Sequence, residues 1–249
     1  MSLTALVGIT LVVFSAVLLI GLFLLKDRVK ASFRSIPAFT NFTKSIGTAV
    51  EQGTRVHFSL GSADVSQERT AASFVGLSAL RQIAELAAAS DRPPVTTSGD
   101  AVLAVLSQDN LQTAYHAAGM DEQYQADTGR VTGLTPFSYA AGTLSMIADE
   151  DVSSSFLAGG FGVEIGLLTE AIERQDAFTL SAADSLPAQA LIYASAKEPL
   201  IGEELFATGA YLDTGRAHMV SLYVQDVLRW IIVLVLLGGA AMKLLTGLV

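Results

Sequence analysis

Two long apolar stretches stand at opposite ends of this chain and enclose everything else. The first runs from Leu3 to Leu25 without a charge. The second runs from Trp230 to Val249 and contains one, Lys243. Each is about 20 residues long, the length an α-helix needs to cross the hydrocarbon core of a bilayer. Such a chain is expected to span a membrane twice and to carry a domain of about 200 residues on one side, large for one domain but ordinary.

Charge beside the first stretch sets the expected direction. Lys26, Arg28, Lys30 and Arg34 follow it, Asp27 is the only acid among them, and no Lys or Arg precedes it. Basic residues accumulate on cytoplasmic flanks, so both termini are expected outside and the enclosed domain in the cytoplasm, at the inner (plasma) membrane of a cell. Arg229 and Trp230 suit the headgroup level of the same face, and Lys243 lies close enough to the C-terminus to snorkel towards the other. A secretory signal would have a basic start, a shorter apolar run and a small-residue cleavage site; all three are missing, so the first stretch is read as retained. The absence of cysteine fits a cytoplasmic domain without deciding the matter. Asn41-Phe42-Thr43 matches a glycosylation sequon that a cytoplasmic domain would never present to the glycosylation machinery.

The formal net charge of −9 hides a sharper division. From Glu51 to Asp226, 8 basic residues stand against 23 acidic ones, a balance of −15. Such a domain is repelled by nucleic-acid phosphate, so DNA and RNA are excluded as partners, while the basic collar is drawn to an anionic leaflet.

Periodicity divides the chain into a transmembrane helix at 1–25, a basic and irregular juxtamembrane connector at 26–53, an acidic α/β domain at 54–216, and a long helix at 217–249 that continues into the second span. Within the domain, short β-rich runs at Val56–Leu60, Val95–Ser98, Phe156–Gly159 and Phe178–Ser181 alternate with helical patterns. The helices are expected over about Gln67–Ala89, Asp100–Ala118 and Pro136–Ala148, then after Gly162 and after Asp184. Residues 121–134 read as polar turns. The alternation predicts a mostly parallel sheet covered on both faces, a Rossmann-like three-layer α/β domain.

Several motifs invite a chemical reading. Gly159, Gly160 and Gly162 lead from a strand into a helix, where dinucleotide folds receive a pyrophosphate. Glu164 falls in the first turn, where that phosphate would sit, and no Lys or Arg occurs between Arg130 and Arg174. Close strand–helix packing explains the glycines as well. Asp64, Asp100 and Asp184 follow other strands, and Ser98-Gly99-Asp100 could hold a small ligand or simply cap a helix. Carboxylates lining such a crevice would repel bare phosphate unless a divalent cation such as Mg²⁺ mediated. Phe58-Ser59-Leu60-Gly61-Ser62-Ala63-Asp64 echoes Phe178-Thr179-Leu180-Ser181-Ala182-Ala183-Asp184, either as two related units flanking one crevice or as two strands ending in N-caps. Asp127-Thr128-Gly129 and Asp213-Thr214-Gly215 resemble paired aspartic-protease loops but lack an apolar strand leading into them. His57, His116 and His218 are far apart in sequence, and none forms a ligand-spaced pair. No catalytic residue and no metal ligand is assigned. Gly238, Gly239, Ala240 and Ala241 give the second span a small-residue surface suited to close helix packing, within or between copies.

Asp91-Arg92-Pro93-Pro94, Gly133-Leu134-Thr135-Pro136-Phe137, Ser185-Leu186-Pro187-Ala188-Gln189 and Val224-Gln225-Asp226-Val227-Leu228-Arg229-Trp230 resemble segments of an uncharacterised family of bacterial two-span membrane proteins, a domain of unknown function. The resemblance implies a bacterial origin and this layout, and supplies no activity. The expected function is a membrane scaffold, without cofactor, that contacts copies of itself or another membrane-associated protein. The alternative is a membrane-tethered enzyme or sensor that binds a small ligand or nucleotide at the strand tips.

Overall fold

The computed structural model describes residues 3–24, 34–63, 70–88, 90–212 and 216–246. They fall into two compact units, Ser35–Thr214 on one side and Met1–Arg34 with Gly215–Val249 on the other. The second of these contains the outermost helices, α1 (Leu3–Leu24) and α9 (Arg216–Thr246). Both are apolar along most of their length, and they touch each other. Among the described residues, one helical stretch is long and apolar enough to cross a membrane, Met219–Leu244 of α9, and none of its apolar window is buried. The apolar run in α1, Gly8–Leu24, is shorter.

The Ser35–Thr214 unit follows a nearly regular alternation. Helix α2 (Pro37–Gln52) precedes β1 (Arg55–Gly61), α3 (Thr70–Ala87), β2 (Val95–Ser98), α4 (Ala101–Ala117) and β3 (Gly129–Val131). Then come α5 (Pro136–Asp149), β4 (Val152–Gly160), α6 (Ile165–Arg174), β5 (Phe178–Ala183), α7 (Leu186–Ser195), β6 (Glu198–Leu200) and α8 (Glu204–Tyr211). All six strands pair in parallel, in the order β3-β2-β1-β4-β5-β6. Parallel strands need crossovers, and the crossovers bury both faces of the sheet. One face packs Phe42, Phe58, Leu80, Ile83, Leu103 and Phe156, drawn from α2, α3, α4 and the central strands. The other packs Tyr139, Leu157, Phe161, Ile165, Leu168 and Ile192, with α5, α6 and α7 above it.

Local chemistry sets the helix entries. Asp100 accepts from the Leu103 amide at 2.9 Å and opens α4. Thr135 and Ser138 form a reciprocal capping box with Pro136 in the first turn of α5, and Ser185 caps α7. Each cap satisfies amides that the helix itself leaves free.

Four stretches differ from expectation, one of them α8, a helix where the sequence pattern predicts none. The connector read as irregular carries α2, whose Phe39, Phe42, Ile46 and Ala49 are buried. Its Thr, Ser and Gly residues are weak helix formers, so packing on the sheet, with Phe42 against Phe156 at 5.0 Å, supplies the stability that propensity does not. The polar run at 121–134 contains β3, and β6 was not foreseen either. Both are three-residue edge strands, too short to show a period. The remaining strands fall where expected, with β4 and β5 longer than read.

Candidate functional site

The strand order turns back between β1 and β4. Helix α3, following β1, and helix α6, following β4, cover opposite faces. In open parallel sheets the crevice beyond such a point is where ligands usually bind. The structure brings Ser98, Gly99, Asp100, Gly159, Gly160, Gly162, Glu164 and Asp184 to this end of the sheet, on the ends of β2, β4 and β5. Asp64 lies outside the described residues.

The crevice is filled by the chain's own groups. Ser62 and Ala63 amides both donate to the Gly160 carbonyl at 3.1 Å, and the Gly99 amide donates to Gly61 at 2.9 Å. A Cβ on Gly159 would run into the Leu60 carbonyl, and one on Gly61, at φ +90°, into Gly160. These glycines therefore let β1 and β4 approach each other. From α3, the Ser73 hydroxyl donates to Leu60 O at 3.1 Å and accepts from Gly160 N at 3.3 Å, closing the same gap from one side. Glu164 closes it from the other. It is buried, and one carboxylate oxygen accepts from the Gly162 amide at 2.8 Å and from the Ser62 hydroxyl. A glycine-rich turn offers an anion seat at the start of α6, and the protein's own carboxylate occupies it.

The aspartates here act locally. Asp100 is the α4 cap, and Ser98 Oγ donates to its carbonyl at 2.9 Å. In the second copy of the echoed segment the cap is Ser185, one residue past Asp184. Asp127 is exposed and pairs with Arg130 at 3.7 Å in the turn before β3, while Asp213, Thr214 and Gly215 lie outside the described residues. Among the described residues, no three His, Cys, Asp or Glu side chains gather as a metal site requires.

A buried polar network on the α5 face of the sheet went unread in the sequence. His57 Nε2 lies 2.9 Å from Thr97 Oγ1, and His57 Nδ1 lies 3.3 Å from Ser155 Oγ. Thr97 also bonds the Tyr139 hydroxyl at 3.2 Å, and that hydroxyl bonds Ser59. All five residues are fully buried. Burial holds the His57 imidazole down to about 3, neutral at any ordinary pH. Burial also pushes the Tyr139 phenol up, against the lowering effect of hydrogen bonds with Ser59, Thr97, Thr143 and the Gly61 backbone. The one available signal was alternation: His57 and Ser59 are interleaved with Phe58 and Leu60, and Thr179 and Ser181 with Leu180 and Ala182. The network ties β1, β2, β4 and α5 together and so fixes strand register. Thr179 and Ser181, on the same face of β5, each bury a hydroxyl with no hydrogen-bond partner among the described residues.

The opposite end of the sheet is charged. Glu150 sits between Arg55 and Arg130, 2.6 Å from each guanidinium. Partial burial works against the Glu150 carboxylate, but the Arg130 hydrogen bond and the charges of Arg55, Arg130 and Arg92 outweigh it and hold its pKa below the usual range. Near the unit's first residues a groove of about 500 Å³ is lined by Ser35, Ile36, Phe39, Thr40, Thr43, Lys44 and Tyr211. Phe39 and Tyr211 stack there at 5.0 Å.

Of the expected interface residues, Lys26, Arg28 and Lys30 lie outside the described residues, and Arg34 is exposed. Arg229 lies 3.6 Å from Asp226 on α9, and Trp230 is exposed. Ala240 and Ala241 are exposed, and a Cβ added to Gly238 or Gly239 would meet nothing within 4 Å.

The model of a family described as a domain of unknown function, DUF6754, matches residues 2–249. No curated protein and no solved structure matches the chain.

Proposed function

We propose, from the premise that this chain belongs to the DUF6754 family, that it is a bacterial inner-membrane scaffold whose α/β unit makes protein contacts and performs no chemistry of its own. The observation that carries this reading is the position of Glu164. In a nucleotide-binding domain of this strand order, the glycine turn after a central strand is left open for phosphate. Here a buried carboxylate takes the Gly162 amide, and strand ends held by Gly61, Gly159 and Gly160 occupy the remaining space. The order β3-β2-β1-β4-β5-β6 supports a Rossmann-like domain, put to use as a surface. Helix α9 supports membrane anchoring, and α1 is assigned as the second span on its 22 residues without a charge. The basic flank Lys26, Arg28, Lys30 and Arg34 supports a topology with the α/β unit in the cytoplasm and both termini outside. The unit self-assembles or docks a membrane-associated protein, binds no nucleic acid and needs no cofactor.

Two experiments test the reading. The chain has no cysteine, so a single cysteine at Ser2 or Val249 of the full-length protein reports sidedness through a membrane-impermeant thiol reagent. Labelling in intact cells is expected at both, and protection at both would reverse the topology. Thermal-shift measurements with nucleotides and Mg²⁺ are expected to show no saturable stabilisation.

The strand reversal between β1 and β4 favours a second reading, a tethered enzyme or sensor that binds a small ligand at the strand tips with Mg²⁺ between ligand and carboxylates. Saturable stabilisation that is lost in Asp100→Ala or Gly160→Val would select it.

A further inference from the structure

We propose, building on the self-assembly argued above, that two copies of the chain pair through an apolar rim of Leu134, Phe137, Val163 and Leu186 at the carboxyl ends of β3, β4 and β5. Helices α5, α6 and α7 lie side by side, with α6 packed against both neighbours. Each begins just past its strand, so their entries line one end of the unit. There Leu134 is 77% exposed, Phe137 62%, Val163 54% and Leu186 79%. Helix entries favour acidic residues, and the chain has 24 of them, yet none lies in the first turn of α5, α6 or α7. Residues 132–138, 161–163 and 185–187 carry no charge at all. The acids beside them are Glu164, buried against Gly162 and Ser62, and the half-buried Asp184.

Charge and area together name the occupant. A second copy brings its own −15 over residues 51–226, so approach through most surfaces sets acid against acid, whereas rim against rim does not. Four side chains at these exposures present on the order of 500 Å², a patch of the size that tends to be functional on a monomer. A stable interface buries about 800 Å² per partner, a little over half of it apolar, so the rim supplies the apolar portion of one side. The same patch on both copies makes a two-fold, self-complementary contact.

The native lack of cysteine makes the test direct. Full-length Val163→Cys and Leu186→Cys proteins in native membranes are oxidised, with Gln125→Cys, exposed before β3 at the opposite end of the sheet, as control. Covalent dimers are expected from the rim cysteines and not from the control. The double variant Leu134→Asp/Leu186→Asp, in mild detergent, should weaken dimerisation by tenfold or more. If the wild-type protein is oligomeric while the rim cysteines stay unlinked and the charged variant still assembles, the rim is overturned and self-assembly stands. A strictly monomeric wild type overturns both. A rim cysteine that joins a different protein overturns the second copy as occupant. The cysteine variants decide even if the charged variant fails to fold.

Discussion

Between pH 7 and pH 5, acid should loosen this protein chiefly through His57. Its imidazole is fully buried between Thr97 and Ser155 and stays neutral down to about pH 3. In the unfolded chain a histidine takes up a proton near pH 6.5. The folded-state value is therefore depressed, the unfolded state binds the extra proton, and stability is complete above pH 6.5 and lost as pH falls towards 3. Each pH unit within that window costs about 1.4 kcal/mol, so moving from pH 7 to pH 5 costs about 2 kcal/mol. That is a sizeable share of the 5–15 kcal/mol typical of a domain, and with a urea m-value of about 2 kcal/mol/M it lowers the midpoint by about 1 M. The assay is urea unfolding of the full-length protein in mild detergent, followed by far-UV circular dichroism at pH 7, 6 and 5. His57→Gln keeps a donor and an acceptor but cannot titrate. It should lower stability at pH 7 by about 1–3 kcal/mol through imperfect hydrogen bonding and should remove this slope. Equal pH 7-to-5 losses in wild type and His57→Gln would refute the reasoning, because the sensitivity would then belong to other groups.

Other expectations use the same assay. Below about pH 4.5 a second loss should set in as Glu150, held acidic by Arg130, Arg55 and Arg92, becomes protonated; its depressed pKa means stability is present above the unfolded value and lost below it. Glu150→Gln should show less of that acid loss and cost about 1–3 kcal/mol at pH 7. Phe42→Ala in α2 should cost about 3–5 kcal/mol, and a change below 1 kcal/mol would mean that α2 is an accessory to the sheet. In Gly76→Ala the new Cβ meets the Ala158 carbonyl of β4, so a loss of about 1–3 kcal/mol or more is expected. Glu164→Ala strips the Gly162 amide and the Ser62 hydroxyl of their acceptor, with a cost of about 1–3 kcal/mol. If that carboxylate is what fills the anion seat, inorganic phosphate should stabilise the variant and leave the wild type unchanged in a thermal-shift titration.

The central strands were readable because each packs an apolar row into the core and is bounded by Gly, Pro or Asp. Helices α4 and α5 announced themselves through Asp100 and Pro136, whose chemistry is local, whereas α7 was expected to start from Asp184 and is capped by Ser185, one residue on. Helix α2 was harder. Its stripe of Phe39, Phe42, Ile46 and Ala49 was present in the sequence, but Thr, Ser and Gly around it gave the run no helical character until β1, β4 and β5 lay underneath. Edge strands β3 and β6 are each three residues long, and pairing with β2 and β5 is what makes them strands.

The candidate site divides along the same line. That glycines and acids follow the strands could be read residue by residue, and so could the conflict between Glu164 and any phosphate in the turn. Which backbone each glycine approaches could not, since Gly159 meets Leu60, Gly76 meets Ala158 and Gly99 meets Ser62 across 37 to 99 positions of chain. The network of His57, Ser59, Thr97, Tyr139 and Ser155 is likewise assembled from four separate elements.

Composition and period were enough for the apolar ends, the acidic middle and the α/β alternation, because burial and helix capping act over a few neighbouring residues. Long-range packing set the order of the strands, the closing of the crevice by Glu164 and the line of apolar helix entries at one end. Each of these depends on which distant segments lie side by side, and no local pattern carries that information.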